Sequence, residues 1–221
     1  MDIKDILNKH KFPVVAFSGG KDSTTVLDLV RKINPNVKAV FCNTGVEHRE
    51  TVEYCRSIDN LVELKPIKSF WKCVDEYGYP DLKSKAKSHG NRCCYYLKEK
   101  PMINWIKDNN VDLIFTGLTS SESRNRMMFF KRCGEYYFMK SWGVWKAHPI
   151  HNYTVDDVWN YIKSNNLDYN KIYDKKGVER CGCTYCSAYC HFETNMIREI
   201  GVERFGWYLK KRYNQRQLEV N

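Results

Sequence analysis

The chain has 221 residues, of which 43% are hydrophobic and 28% charged, the balance of one folded domain with a substantial core rather than of a disordered chain or a multidomain machine. No apolar run approaches the roughly 18 residues that span a bilayer, and the polar start MDIKDILNKH is unlike a signal peptide, so an intracellular, cytoplasmic protein is expected. Lys and Arg number 36 against 26 Asp and Glu, a net charge of +10 that favours an anionic partner such as a nucleotide, a sulfate ester or RNA without choosing among them.

The first half alternates apolar strands with amphipathic segments. PVVAFSGG (Pro13 to Gly20) reads as a strand ending in glycines, and STTVLDLVRKI (Ser23 to Ile33) as a helix with Val26, Leu27, Val30 and Ile33 on one face. A second strand is expected over Val37 to Gly45, a helix over His48 to Ile58 and a third strand over Leu61 to Ile67. A helix over about Tyr95 to Lys107 then leads into a strand over Val111 to Gly117. Strands separated by helices of this length pair in parallel through right-handed crossovers, giving an open, mostly parallel α/β sheet with flanking helices. Ligands of such sheets bind beyond the carboxyl ends of the strands, which here carry SGGKDS, NTGVEH and TGLTSSESR. Farther on, the two aromatic runs around Cys-Gly between Met127 and Trp142 suggest a hairpin serving as core and dimer surface. Thr154 with Asp157 starts a helix over WNYIKSN. Beyond Lys171 come a cysteine-rich loop and a basic helical tail, so a nucleotide-binding domain over 1–170 and a small cysteine-rich C-terminal region over 171–221 are expected.

SGGKDS (Ser18 to Ser23) sits between a strand and a helix, where glycines let the backbone approach an anion and the helix N-terminus presents its amides. Lys21 adds charge, and Ser18 and Ser23 add hydroxyls. The GxxxxGK[ST] spacing is absent. The string resembles the PP-loop of the adenine nucleotide α-hydrolase superfamily. Three further segments resemble the phosphoadenylyl-sulfate and adenylyl-sulfate (PAPS and APS) reductases within it: FCNTGVEHRET (Phe41 to Thr51), with Asn43 where that family usually has Asp, TGLTSSESRNR (Thr116 to Arg126), with Thr119 where it often has Arg, and HPIHNYTVDDVWNYI (His148 to Ile162). The resemblance covers roughly Val14 to Cys186. It implies a Rossmann-like fold. It also implies that Ser18, Gly19, Gly20, Lys21, Asp22 and Ser23 take the anionic end of a nucleotide, and that Asn43, Thr44, Gly45 and Gly117 line the rest. Arg124 and Arg126 would then neutralise sulfate or phosphate, a task suited to guanidinium groups.

Ten cysteines are many for a reducing compartment, and the clusters at Cys93, Cys94 and at Cys181, Cys183, Cys186, Cys190 point to metal ligation. NRCCYYLKEKPM (Asn91 to Met102) and GCTYC (Gly182 to Cys186) resemble the RCCxxxKxxPL and GCxxC segments of the iron–sulfur reductases. That likeness implies a [4Fe-4S] cluster on Cys93, Cys94, Cys183 and Cys186. A zinc site on Cys181, Cys183, Cys186 and Cys190 is the local alternative. Cys42, Cys55, Cys73 and Cys133 read as buried filler.

The resemblance implies attack of a thiolate on the sulfur of a sulfonucleotide, with thioredoxin or another dithiol releasing sulfite. Lys21, Arg124 and Arg126 would offset the meeting of two anions. The surplus of basic residues leans toward the 3′-phosphorylated substrate. The family's attacking cysteine lies in a C-terminal E-C-G-x-H motif, whereas no cysteine follows Cys190 here. Either Cys181 or Cys190 serves, or a partner's thiol attacks, or the reaction differs. An intact SGGKDS supports the last: an ATP-dependent iron–sulfur sulfurtransferase on tRNA or DNA, held there by the positive charge. A cluster-bearing nucleotide sensor is a third class that no residue favours.

Overall fold

A computed structural model describes residues 1–78, 92–175 and 178–186. Its centre is a six-stranded sheet. The first half of the chain supplies β1 (Pro13–Ala16), α2 (Lys21–Arg31), β2 (Lys38–Cys42), α3 (Arg49–Arg56), β3 (Leu61–Leu64) and α4 (Phe70–Tyr77), after a short α1 (Ile3–Leu7). Next, α5 (Arg92–Cys94) runs through a π-helical turn (Tyr95–Glu99) into α6 (Lys100–Asp108). β4 (Leu113–Phe115), α7 (Arg124–Cys133), β5 (Tyr136–Met139), β6 (Val144–Ala147) and α8 (Val155–Ser164) follow.

The strands lie in the order β3-β2-β1-β4-β6-β5, all neighbours parallel except the antiparallel pair β5–β6 at one edge. Val15 stands opposite both Ala39 and Phe115, and Phe115 opposite Ala147. Because successive side chains of a strand point to opposite faces, each central strand feeds two cores. On one face Val15, Phe41 and Phe115 pack with Val26, Leu27 and Val30 of α2 and with Val158 and Ile162 of α8. On the other, Val14, Val40 and Ile114 meet Met102 and Ile106 of α6. Coverage of both faces explains why these strands read as continuous apolar runs. The chain turns one way from β1 to β2 while β4 lies on β1's other side, so a crevice opens beyond the carboxyl ends of β1 and β4.

The expected hairpin from Met127 to Trp142 is corrected. Residues 124–133 form α7, capped by the Ser123 side chain on the Arg126 amide and ended by Gly134 at φ 73°. The hairpin is Tyr136 to Ala147, and its second strand β6 joins the parallel sheet beside β4. Local capping overrides the strand preference of the aromatic run. Among the described residues no helix is long and apolar enough to cross a membrane.

At the start of α8 the Thr154 hydroxyl accepts from the Asp157 amide at 3.1 Å, and the Asp157 carboxylate accepts from the Thr154 amide at 2.8 Å. Thr154→Ala removes the hydroxyl half of this box and is expected to cost about 1 kcal/mol. The readout is a lower urea midpoint at unchanged m-value.

Candidate functional site

The turn after β1 is built for close approach. Gly19 has φ 71°, and a Cβ there would lie 2.7 Å from the Cys55 sulfur. Gly117, just past β4, faces the first turn of α2, where a Cβ would stand 2.8 Å from the Asp22 carbonyl carbon and 2.9 Å from the Ser23 nitrogen. Both positions therefore require glycine. The Ser23 hydroxyl donates to the Gly20 carbonyl (2.9 Å) and accepts from the Ser18 amide (3.2 Å), closing the loop on itself. The N-cap Gly20 has no side chain to offer α2, and the helix N-terminus faces the crevice. Lys21 is buried, its ammonium bound to both Asp22 carboxylate oxygens at 2.8 Å.

Two cavities meet at this loop. A cleft of about 690 Å³ is lined by the loop and first turn of α2, by Thr116 and Gly117, and by Arg126, Tyr173, Arg180 and Cys181. Beside it, a pocket of about 230 Å³ lies over Ala16, Val40 to Cys42, Met102, Ile114 and Trp142. Ala16, Ser18, Thr116 and Cys181 belong to both walls. The smaller pocket is mainly apolar with charged groups at its margin. The Lys146 ammonium stands 3.9 Å from the centre of the Trp142 ring, and burial draws its pKa down to about 8. Lys98, also on this wall, pairs with Glu47 at 3.4 Å. Glu47 foremost, and then the neighbouring thiols, hold Lys98 protonated well above its usual range.

The segment after α8 folds back over the loop. Asn170, fully buried, donates to the Gly19 carbonyl (3.1 Å) and the Thr51 hydroxyl (2.9 Å). The Tyr173 hydroxyl accepts from the Lys21 amide at 3.2 Å. Farther on, Cys183 bridges to Glu47 in antiparallel fashion, and the Thr184 amide donates to the Val46 carbonyl at 2.7 Å. This places the Cys183–Cys186 turn against α4 and α5, with Tyr185 stacked on Phe70 of α4.

The two thiol pairs thus come into one neighbourhood. A hydrogen bond between the adjacent thiols pushes Cys93 up and brings Cys94 down to about 7, and the charges of Cys186 and Cys183 act on Cys93 as well. Burial pushes Cys183 up to about 12. Four thiols of one neighbourhood are the right donor type for an iron–sulfur cubane. Among the described residues, however, no three Cys, His, Asp or Glu side chains stand close enough to hold a metal ion without rearrangement.

Other expected site residues are placed differently. Arg126 lines the cleft and pairs with Glu122, whereas Arg124 is exposed on α7 and outside the lining. Asn43 turns away to donate to Glu63 at 2.7 Å and accepts from the Gly45 amide at 3.0 Å. Thr44 is buried and donates to Glu47 at 3.1 Å. The β2 contribution to the pocket wall is therefore Val40 to Cys42 rather than Asn43 to Gly45. Cys55 and Cys73 are buried, while Cys42 and Cys133 are half-buried. Cys190 and the basic tail lie outside the described residues.

His148 supports the cleft from beneath. It is fully buried, its Nδ1 shares a 2.6 Å hydrogen bond with the Thr116 hydroxyl, and its Nε2 has no partner among the described residues. Burial first, then the charges of Lys146, His151 and Arg126, hold its pKa down to about 3.

Residues 12–189 match the phosphoadenosine phosphosulfate reductase domain family. A protein of Methanocaldococcus jannaschii described as uncharacterized is 34% identical over 89% of this chain, which spans 40% of that protein's length. A second from the same organism is 29% identical, and the chain spans 51% of it. An adenosine 5′-phosphosulfate reductase of Lysinibacillus sphaericus is 28% identical over 79% of this chain and 72% of its own. Among solved structures, a phosphoadenylyl-sulfate reductase of Candida auris superposes with a TM-score of 0.62 at 20% identity, covering 83% of this chain and 88% of its own. A U34-tRNA thiolase of Methanococcus maripaludis, solved with its [4Fe-4S] cluster, gives 0.51 at 16% identity, covering 98% and 78%.

A histidine whose folded pKa lies near 3 protonates in the unfolded chain at about 6.5. Its contribution to stability is complete above that unfolded value and is lost as the pH falls toward 3. Stability of the wild type is expected to fall more steeply across this window than that of His148→Gln, in urea denaturation at a series of pH values. Parallel profiles would contradict the assignment.

Proposed function

This chain belongs to the phosphoadenosine phosphosulfate reductase domain family, and we propose on that premise that it is a sulfonucleotide reductase. It takes adenylyl sulfate or its 3′-phosphorylated form and yields sulfite and an adenosine phosphate, with electrons from a dithiol such as thioredoxin. One observation carries the reading: an apolar pocket of nucleobase size shares a wall with a larger anion cleft at a glycine loop and helix N-terminus. In this reading the base enters the pocket beside Trp142, and the phosphate reaches the α2 amides. The sulfate group points into the cleft toward Arg126 and Arg180. These cations and the helix dipole offset the repulsion between an attacking thiolate and the sulfate, and stabilise the leaving phosphate. Lys98 neutralises Glu47 beside the thiols.

Cys93, Cys94, Cys183 and Cys186 would hold a [4Fe-4S] cluster in this reading. When bound, the cluster would add a fixed electrostatic influence beside the cleft. A second reading, ATP-dependent thiolation of a nucleic acid, draws support from the intact SGGKDS loop and the net charge of +10.

The full chain, purified anaerobically, is expected to release sulfite from one of the two sulfonucleotides when reduced thioredoxin is present. Arg126→Ala should lower kcat/KM about 10- to 100-fold, the loss of one hydrogen bond to a charged group. Pyrophosphate release from ATP without sulfite release would instead favour the thiolation reading. Iron and acid-labile sulfide should accompany the wild type and fall sharply in Cys183→Ser. Zinc without iron would remove the cluster from the account.

A further inference from the structure

We propose that Cys181 is the thiol that attacks the substrate sulfur, an assignment that rests on the sulfonucleotide reading and adds the residue that performs it. Among the described cysteines, Cys181 alone lines both the nucleobase pocket and the anion cleft. Its sulfur lies 2.9 Å from where a Cβ on Gly20 would stand, and 3.7 Å from the Ser18 carbonyl oxygen. It is thus seated on the glycine loop itself. The Tyr173 hydroxyl, which accepts from the Lys21 amide at 3.2 Å, lines the same cleft wall as this thiol and so sets it beside the first turn of α2. A nucleoside whose base fills the apolar pocket brings its first anionic group to the wall that the two cavities share. The sulfur of a sulfonucleotide is the next centre beyond that phosphorus.

The other described thiols lack this placement. Cys55 is fully buried under Gly19, and Cys73 is buried beside Phe70. Cys42 reaches only the base pocket. Cys133 ends α7, and Cys93, Cys94, Cys183 and Cys186 are the proposed cluster ligands.

The Cys181 thiolate forms a bond to the sulfonyl sulfur while the sulfur–oxygen bond to the nucleotide phosphate breaks, and that electron pair leaves on the phosphate oxygen of the adenosine phosphate. Cys181 then carries the sulfonate as S-sulfocysteine. One thiolate of the dithiol attacks the Cys181 sulfur, releasing sulfite with the bonding pair and leaving a mixed disulfide. The second thiolate resolves that disulfide, so Cys181 returns to a thiol and the dithiol leaves oxidised.

The test is a single turnover of the full chain with each sulfonucleotide in the absence of dithiol, followed by peptide mass analysis. The expected result is a mass increase of one SO₃ group confined to the Cys181 peptide and discharged as sulfite when reduced thioredoxin is added. Cys181→Ser and Cys181→Ala should still bind adenosine monophosphate, yet form no adduct and release sulfite only at background. An adduct on another cysteine, sulfite release by either variant at the wild-type rate, or sulfite from the wild type without any protein adduct would each overturn the assignment while leaving the reductase reading intact. A wild type that yields neither adduct nor sulfite from either sulfonucleotide, with or without thioredoxin, overturns both.

Discussion

The site depends on one close approach between two backbones. Gly117, at the carboxyl end of β4, packs on the carbonyl of Asp22 and the amide of Ser23, leaving no room for a Cβ. That contact clamps the β4 loop against the first turn of α2 at the point where the sheet's strand order reverses, and so fixes the width of the crevice into which the helix amides point. Thr116, one residue earlier, is held by its amide on the Ala147 carbonyl at 3.0 Å and by its hydroxyl on His148. The crevice wall therefore draws on three parallel strands, β1, β4 and β6.

A second constraint is electrostatic. Thiols, carboxylates and ammonium groups crowd the margin of the apolar pocket, where each charge is costly to desolvate unless it is paired. The Lys98–Glu47 pair meets this need, and Glu47 in turn receives the Thr44 hydroxyl. The turn bearing Cys183 and Cys186 docks on the Val46–Glu47 segment through an isolated bridge and the Thr184 amide on the Val46 carbonyl. The cysteine-rich segment is thus part of the crevice wall, covering the glycine loop with Asn170, Tyr173 and Cys181.

Much of the frame was legible in the sequence because its signals are local. Apolar runs ending in glycine, each followed by a helical period, specify parallel strands and crossovers wherever both faces are covered. The glycine loop was legible for the same reason: SGGKDS carries its own turn chemistry. The misread hairpin shows the limit. Met127 to Cys133 has strand-like aromatic content, yet only Phe130 of α7 is buried, so capping by Ser123 and Gly134 decides the conformation. Asn43 to Gly45 were expected on the pocket wall, but the positive φ of Gly45 accompanies a turn that folds Asn43 back onto itself and toward Glu63. Asn170, Tyr173, Trp142 and Lys146 were not legible as site residues. Each reaches the loop or pocket from an element remote in sequence, and no spacing rule announces a tertiary contact of this kind. Lys98 did carry a signal, since it sits in the NRCCYYLKEKPM segment four residues after Cys94.

The clamp at Gly117 shapes the crevice at the glycine loop. Calorimetric titration of adenosine monophosphate into the wild type and Gly117→Ala, with far-UV circular dichroism showing the same fold, tests it most directly. An added methyl forced into this contact costs about 1 to 3 kcal/mol; carried by the bound geometry, that cost predicts binding to the wild type and affinity weakened about 5- to 150-fold in the variant. Equal affinity in the two proteins would contradict it.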